Sequence, residues 1–298
     1  MAKKTIKREQ WNSKLGFVLA SVGSAVGLGN LWGFAYSSSE GGGAAFVLLY
    51  VLVVLVICIP IFIAEFALGR NTNIGAYLAP IKGAGANWAP LGWLFLCAPI
   101  AIASYYAVVM AWTGEVFFLS IFDGLPKDPI QGQNFFTSIY QGKYVLLGQI
   151  ISLGLASIAV SGGVKKGIEK INIISMPILF ILLIVLVFWA GFLENSGDGY
   201  RNLLFKIDFK QITNPDTIRL AFSQAFFSLS LGIGIMITYA SYLNKKTNLP
   251  KQAIQIASLD TIVGLMAGLI TFPIIYTFNL SESISSSAIG ALFTVIPV

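Results

Sequence analysis

Three acids stand inside apolar stretches of the chain: Glu65, Glu115 and Asp260. A carboxylate at membrane depth costs about 2.5 kcal/mol or more, so it faces a cavity or a partner. Asp260 lies in Ser258–Gly264 (SLDTIVG) with no basic residue nearby in sequence. A cation is the partner that setting suggests, and carbonyls, hydroxyls and one carboxylate suit a hard ion such as sodium. Glu65 has two readings, as an acceptor for the N–H groups of an unwound neighbour or as a snorkelling side chain. Glu115 is nearer an outer boundary and reads as solvated. A polar amide, Asn30, sits within Gly23–Phe34 (GSAVGLGNLWGF), where Gly23, Gly27, Gly29 and Gly33 crowd together. Each glycine in a helix interior costs about 1 kcal/mol relative to alanine. In lipid, open backbone is tolerated where it is buried in protein or lines a cavity, and an ion or a small zwitterion could supply its partners. The competing reading is close helix packing, since Gly23/Gly27 and Gly29/Gly33 both fit a small-xxx-small face. The tyrosine pair Tyr105–Tyr106 lies deep in an apolar run. Adjacent helical residues point about 100° apart, so one of the two can face a central site; a core aromatic is the alternative.

The elements that must position these residues are membrane spans. The 298 residues are 56% hydrophobic and 11% charged, with a mean hydropathy of +0.79. A soluble chain carries about twice that charge. Seven apolar runs recur, about 15–35, 44–68, 91–122, 144–161, 168–193, 218–243 and 252–278, so the chain reads as an all-α, multi-pass membrane protein. The first run contains the glycine-rich patch. The sixth repeats that oddity in Ser228–Gly234 (SLSLGIG). Two interrupted spans at matching positions of two halves are the mark of inverted repeats with a site at the midplane. The interval implies five-helix repeats, and together the two patches favour a cavity over simple packing. Most of the 19 basic residues fall on the side of Lys3, Lys14, Arg70, Lys165 and Lys245, which places the N-terminus in the cytoplasm. The Gly69–Ala89 loop reads as interfacial, with Tyr77 and Trp88 at headgroup level, and the stretches 123–143 and 194–216 as polar connectors.

The net charge of +6 lies in short loops with no basic stripe, which argues against nucleic acid. Histidine is absent, removing the usual zinc ligand and general base. No nucleophile–base pair supports an intramembrane enzyme. Cys58 and Cys97 lie in separate apolar runs and read as packing residues. The basic start resembles a signal peptide, but its apolar run continues without a cleavage site and more spans follow.

Several motifs together resemble the neurotransmitter:sodium symporter family, bacterial branch, whose bacterial leucine transporters are a type case of broken membrane helices. They are REQW (Arg8–Trp11), GSAVGLGN (Gly23–Asn30), EGGGAAF (Glu40–Phe46), IAEFALGR (Ile63–Arg70), SYY (Ser104–Tyr106), KKGIEK (Lys165–Lys170) and QAFFSLSLGIGIMITYASY (Gln224–Tyr242). The resemblance covers essentially the whole chain. It implies a single transporter domain with discontinuous first and sixth helices, a first repeat at about 11–193 and an incomplete second at about 215–298.

Carried over by position, a first sodium ion would meet the Ala25 carbonyl, the Asn30 amide, Ser228 and Asp260. A second would meet the carbonyls of Gly23 and Val26. The substrate carboxylate would meet the Leu28 and Gly29 N–H groups and the Tyr106 hydroxyl. The amine would meet carbonyls of Ala25, Phe227 and Ser228, with Ser230 nearby. Ile102, Phe227 and Ile233 would shape the side-chain pocket. Tyr106 and Phe227 would lid the site, while Arg8, Trp11 and Tyr242 match an inner gate. Glycine at position 27, where monoamine carriers place an aspartate, implies amino acids, apolar ones in particular. Asp260, where some members carry asparagine, implies independence of chloride. Gly33 replaces the arginine of the outer gate. The implied function is sodium-coupled symport of amino acids across the cytoplasmic membrane. A non-transporting amino-acid-binding subunit or sensor, and a same-fold carrier of another solute, are the alternatives. By the same resemblance, three helices of the second repeat, with the eighth span that completes the second sodium site and inner gate, lie beyond Val298. The expectation is an incomplete N-terminal portion that does not complete a transport cycle alone and whose missing helices a separate chain could supply.

Overall fold

The computed structural model describes residues 9–122, 125–126, 129–142 and 144–278, and no strand occurs among them. Helix α1 (Lys14–Ala25) starts where the Ser13 hydroxyl accepts the Gly16 N–H at 2.8 Å. It stops because Val26 turns extended, and the chain resumes after Gly27 as α2 (Leu28–Glu40), bent by 54° from α1. Helix α3 (Ala44–Val53) passes through a π turn at Val54–Cys58 into α4 (Ile59–Thr72), which Asn73 ends in the left-handed region with φ 55°. Short α5 (Ala79–Ala84) and a 3-10 turn lead into α6 (Ala89–Phe122). Then come α7 (Pro129–Tyr140), α8 (Val145–Ser161), a π turn at Val164–Glu169 and α9 (Lys170–Gly191). Helix α10 (Ser196–Tyr200), another π turn and α11 (Phe209–Ile212) precede α12 (Pro215–Ser228). Helix α12 opens on the Asn214 cap with proline in its first turn. Helices α13 (Ile235–Ala240) and α14 (Leu249–Phe278) complete the described chain.

Among the described residues, four continuous helical stretches, Ala44–Thr72, Ala86–Phe122, Val164–Gly191 and Leu249–Phe278, are long and apolar enough to cross a membrane; the bent α1–α2 pair makes a fifth. The other two apolar runs take shorter forms. Helix α8 has 17 residues, and the sixth run is split into α12 and the six-residue α13. The stretches expected as polar connectors are instead partly helical. They hold α7, α10 and α11, and each stretch has an apolar anchor: Ile139 of α7 is 1% exposed beside Trp112, and Leu203, in the π turn after α10, is 0% exposed against Phe272 and Ile275. Cys58 is buried, Cys97 exposed, and both are free thiols.

The core is built by α1 packing on α9 and α14, α2 on α12 and α14, α3 on α12, and α4 on α13. Phe34 meets Phe46 and Tyr50 edge-on, with centroids 5.6 and 5.3 Å away. Close approach sets some of these crossings. A side chain on Gly23 would begin 1.9 Å from Asn172 Oδ1 on α9, and one on Gly69 would begin 2.1 Å from the Ile237 carbonyl on α13. Gly23 therefore does serve helix packing, the plainer of its two sequence readings. Large apolar side chains on α8 and α9, among them Leu146, Ile158 and Phe188, face outward, as suits contact with lipid.

Candidate functional site

Both expected breaks are present, and they lie side by side. The first is the two-residue interruption at Val26–Gly27. The second spans 229–234, between α12 and α13. In it Ser230, Gly232 and Gly234 alternate in the left-handed region with φ 53°, 77° and 79°. Ser230 holds that conformation although it carries a side chain, and its hydroxyl donates to the Ser24 carbonyl of α1 at 3.3 Å. The Gly232 N–H donates to Glu65 Oε1 at 2.7 Å, so α4 supplies a carboxylate to the unwound backbone of the neighbouring span. Glu65 is 8% exposed, and its Oε2 is buried without a hydrogen-bond partner.

Asn30, Ser228 and Asp260 meet between these breaks. The Asn30 amide nitrogen donates to Ser228 Oγ and to Asp260 Oδ1, each at 2.8 Å, and Ser228 Oγ donates to Asp260 Oδ2 at 2.6 Å. Asp260 is 0% exposed and hydrogen-bonds to these two neutral groups. Asn30 Oδ1 faces the other way and accepts the Gly27 N–H at 3.1 Å, capping α2. The donor edge of the amide thus fills the place beside the carboxylate. For the amide oxygen to meet a cation there, the amide must turn over. Two hydroxyls that the sequence reading did not single out, Tyr50 and Thr261, are buried beside the same cluster, with Tyr50 facing Ser228 and Thr261. The signal for Tyr50 was a single tyrosine within the apolar Ala44–Val53 run.

Tyr106 and Phe227 converge on the first turn of α2. A side chain on Gly29 would begin 2.3 Å from Phe227 Cε1 and 3.1 Å from the Tyr106 hydroxyl, whereas one on Gly27 would begin 4.0 Å from the Tyr106 ring. Tyr106 is the inward member of its pair; Tyr105 is 42% exposed and tilts against Trp32. Ile102 lies one turn before Tyr106 on the same face of α6, and Ile233 lies in the second break, both half-buried. At position 33 the absence of a side chain leaves room for Gln224, whose Oε1 lies 2.9 Å from where a side chain would start and whose amide nitrogen donates to the Gly29 carbonyl at 3.4 Å. Sequence reasoning misses Gln224, and the only signal for it is its place at the head of the Gln224–Tyr242 motif. Ala25 and Val26 are buried at the end of α1. Leu28 contributes its backbone to the start of α2.

Of the expected inner-gate residues, Trp11 and Tyr242 lie apart from this cluster. Arg8 lies outside the described residues. The Trp11 indole N–H donates to the Tyr239 carbonyl at 2.9 Å, and its backbone N–H donates to the Tyr242 carbonyl at 3.3 Å, so the N-terminal segment is pinned to α13 and the turn that follows it. Two acids strengthen that closure. Glu9 accepts the Val164 and Lys165 N–H groups at 3.1 and 3.0 Å, which hold its carboxyl below the usual glutamate range. Glu169, 2% exposed, accepts the Asn12 and Ser13 N–H groups and the Ser13 hydroxyl at 2.8 to 3.1 Å. Glu115, expected in solvent, instead lines a cleft of about 370 Å³ between α6 and α8 with Oε2 buried and unpartnered. The reason is that α8 packs along α6, with Gly148 against Ala111.

Residues 8–138 and 140–288 match the sodium:neurotransmitter symporter family. The uncharacterized sodium-dependent transporter YhdH of Bacillus subtilis is 37% identical over 295 residues, covering 98% of this chain and 64% of that protein. An uncharacterized sodium-dependent transporter of Methanocaldococcus jannaschii is 37% identical over 309 residues, covering 98% of this chain and 62% of its own. The crystal structure of MhsT in complex with L-phenylalanine superposes with a TM-score of 0.88 at 39% identity, over 98% of this chain and 66% of that one. The bovine sodium-dependent neutral amino acid transporter B(0)AT2 is 29% identical over 303 residues, with 90% of this chain and 41% of that protein covered. The chain therefore spans less than two thirds of the length of these curated relatives.

Proposed function

The chain belongs to the sodium:neurotransmitter symporter family, and from that premise we propose that it binds an apolar amino acid together with sodium and takes part in their coupled passage across the cytoplasmic membrane. The observation that carries this reading is the meeting of Asn30, Ser228 and Asp260 between two broken helices. A fully buried carboxylate with neutral partners is stabilised by a cation. A hydroxyl, an amide and the carbonyls at the end of α1 complete an oxygen set suited to sodium as the driving co-substrate. Ala25, Asn30, Ser228 and Asp260 would hold a first ion; Gly23 and Val26 would contribute carbonyls to a second. The first turn of α2 offers N–H groups and the positive end of a helix to a carboxylate. Tyr106 and Phe227, packed over that turn, would cover the bound molecule and exclude water.

Sodium and substrate are linked because both act on the same two breaks, so each raises the affinity for the other by the same factor. Asp260 supplies a fixed negative charge beside the first ion, and we expect no chloride requirement. The relative solved with L-phenylalanine and the neutral amino acid transporter B(0)AT2 support the substrate class. The basic-residue bias supports a cytoplasmic N-terminus.

The test is binding of labelled phenylalanine and leucine by the purified chain, with uptake into vesicles measured alongside. Binding that disappears when sodium is replaced by choline, and persists when chloride is replaced by gluconate, is the expected result. Binding indifferent to sodium would overturn the reading. Binding without uptake would assign the chain a binding role and move transport to a larger assembly.

A further inference from the structure

Asn30 stands between the carboxylate of Asp260 and the first break, and its neighbours fix which way its amide points. Its side chain is 1% exposed. At one end Nδ2 donates to Asp260 Oδ1 and to Ser228 Oγ, each at 2.8 Å. At the other end Oδ1 accepts the Gly27 N–H at 3.1 Å. A carboxylate accepts and a backbone N–H donates, so this orientation satisfies both neighbours at once.

The two ends of a carboxamide are nearly equal in size, so the group can turn over within its own volume. Turned over, each end faces a group of its own kind. Oδ1 takes the place of Nδ2 against the Asp260 carboxylate, where two acceptors meet and a cation is needed between them. Nδ2 takes the place of Oδ1 against the Gly27 N–H, where two donors meet and an acceptor is needed to join them. A single rotation thus calls for a cation at one end and an anion at the other. Room for that anion lies beside Gly27, because a side chain added there would begin 4.0 Å from its nearest neighbour, Tyr106. The N–H groups that follow, in the first turn of α2, belong to the part of a helix that lacks internal acceptors.

We propose that Asn30 couples ion to substrate by turning its amide over, so that Oδ1 meets sodium beside Asp260 while Nδ2 and the Gly27 N–H together donate to the carboxylate of the amino acid. This rests on the functional reading above and adds the group that links its two ligands. Neither ligand alone satisfies both ends of the turned amide, so each raises the affinity for the other. A carboxylate becomes a requirement of the substrate, since an amine without one leaves both donors unpaired.

The full chain in mild detergent, labelled with nitrogen-15 at asparagine and glycine, is followed by NMR. Loss of a signal in Asn30→Ser identifies the Asn30 side-chain amide, and loss in Gly27→Ala identifies the Gly27 N–H. In choline the Gly27 N–H should exchange slowly. Saturating sodium should move the Asn30 amide signals away from their carboxylate-bonded position. It should also speed exchange at Gly27 on the order of tenfold, the factor that goes with one ordinary hydrogen bond. Phenylalanine added with sodium should make that exchange slow again, and phenethylamine, which lacks the carboxylate, should not. Asn30→Asp carries an oxygen at both ends and can cap Gly27 and meet the ion without turning, so sodium should no longer speed exchange at Gly27 in that variant. The parent chain decides the matter by itself if the variant does not fold. Asn30 and Gly27 signals that sodium leaves unmoved, in a chain whose phenylalanine binding depends on sodium, overturn this inference and leave the functional reading standing. So does protection of Gly27 by phenethylamine. Phenylalanine binding indifferent to sodium overturns both.

Discussion

Asp260 has Ser228 and Asn30 as its hydrogen-bonding neighbours. Replacing it by alanine leaves the Ser228 hydroxyl without its acceptor and the Asn30 amide nitrogen with Ser228 alone, at about 1–3 kcal/mol for each buried donor left unpaired. Asp260→Asn keeps the shape and removes the charge, so sodium affinity should fall at least about tenfold while the fold is kept. Sodium titration of amino-acid binding measures this, and an unchanged half-saturating sodium concentration would remove Asp260 from the ion site. Two neighbouring glycines should respond in opposite ways. A methyl at position 27 begins 4.0 Å from Tyr106 and fits, whereas one at position 29 begins 2.3 Å from Phe227. Gly27→Ala should therefore change stability by no more than about 1 kcal/mol. Gly29→Ala should displace Phe227 and weaken binding, at an overpacking cost of about 1–3 kcal/mol. Thermal midpoints and phenylalanine affinity of the two variants compare them directly.

At the scale of elements, the second break is held by backbone conformation and by Glu65. Nothing lies within 4 Å of a side chain added at Gly232, where φ is 77°. Gly232→Ala is thus a test of backbone strain alone, expected to cost about 1–2 kcal/mol; a thermal midpoint equal to the parent's would show that the break relaxes freely. The N-terminal closure is a pair of exchanged caps, Glu9 on the turn at Val164 and Glu169 on the start of α1. Glu169→Gln should loosen it by about 1.5–3 kcal/mol, the worth of hydrogen bonds to a charged group, and protease cutting near Trp11 should become faster. For Glu9 the folded pKa lies below the ordinary glutamate value. Its contribution is fully present above the unfolded pKa and is lost as pH falls through the folded one. Exchange of the Val164 and Lys165 amides, corrected for intrinsic rates, should rise with acidification through that window in the parent and not in Glu9→Gln.

At the scale of the whole molecule, the two breaks and α14 form one unit, since the Asn30–Ser228–Asp260 contacts join all three. Sodium with an amino acid should therefore lower hydrogen exchange at 26–30 and at 229–234 together. Protection confined to one segment would separate the breaks and undo the coupling. Much of this was legible in the sequence. The apolar runs follow from composition, because a span must satisfy its backbone internally. The interruption at Gly23–Asn30 follows from the clustering of poor helix formers, and the one at Ser228–Gly234 from the same oddity recurring within an apolar run. What the residue order could not say is which atoms face one another. Gly23 and Gly29 look alike in the sequence, yet one receives α9 and the other receives Phe227. Glu115 looked solvated until α8 was laid along α6. Tyr50, Thr261, Gln224, Glu9 and Glu169 gained their places from helices far away in the chain. Sequence by itself determined where the backbone must open, because propensity and hydropathy are local. Tertiary structure decided what meets that open backbone, because hydrogen bonds between residues 30, 228 and 260 exist only after distant helices have packed.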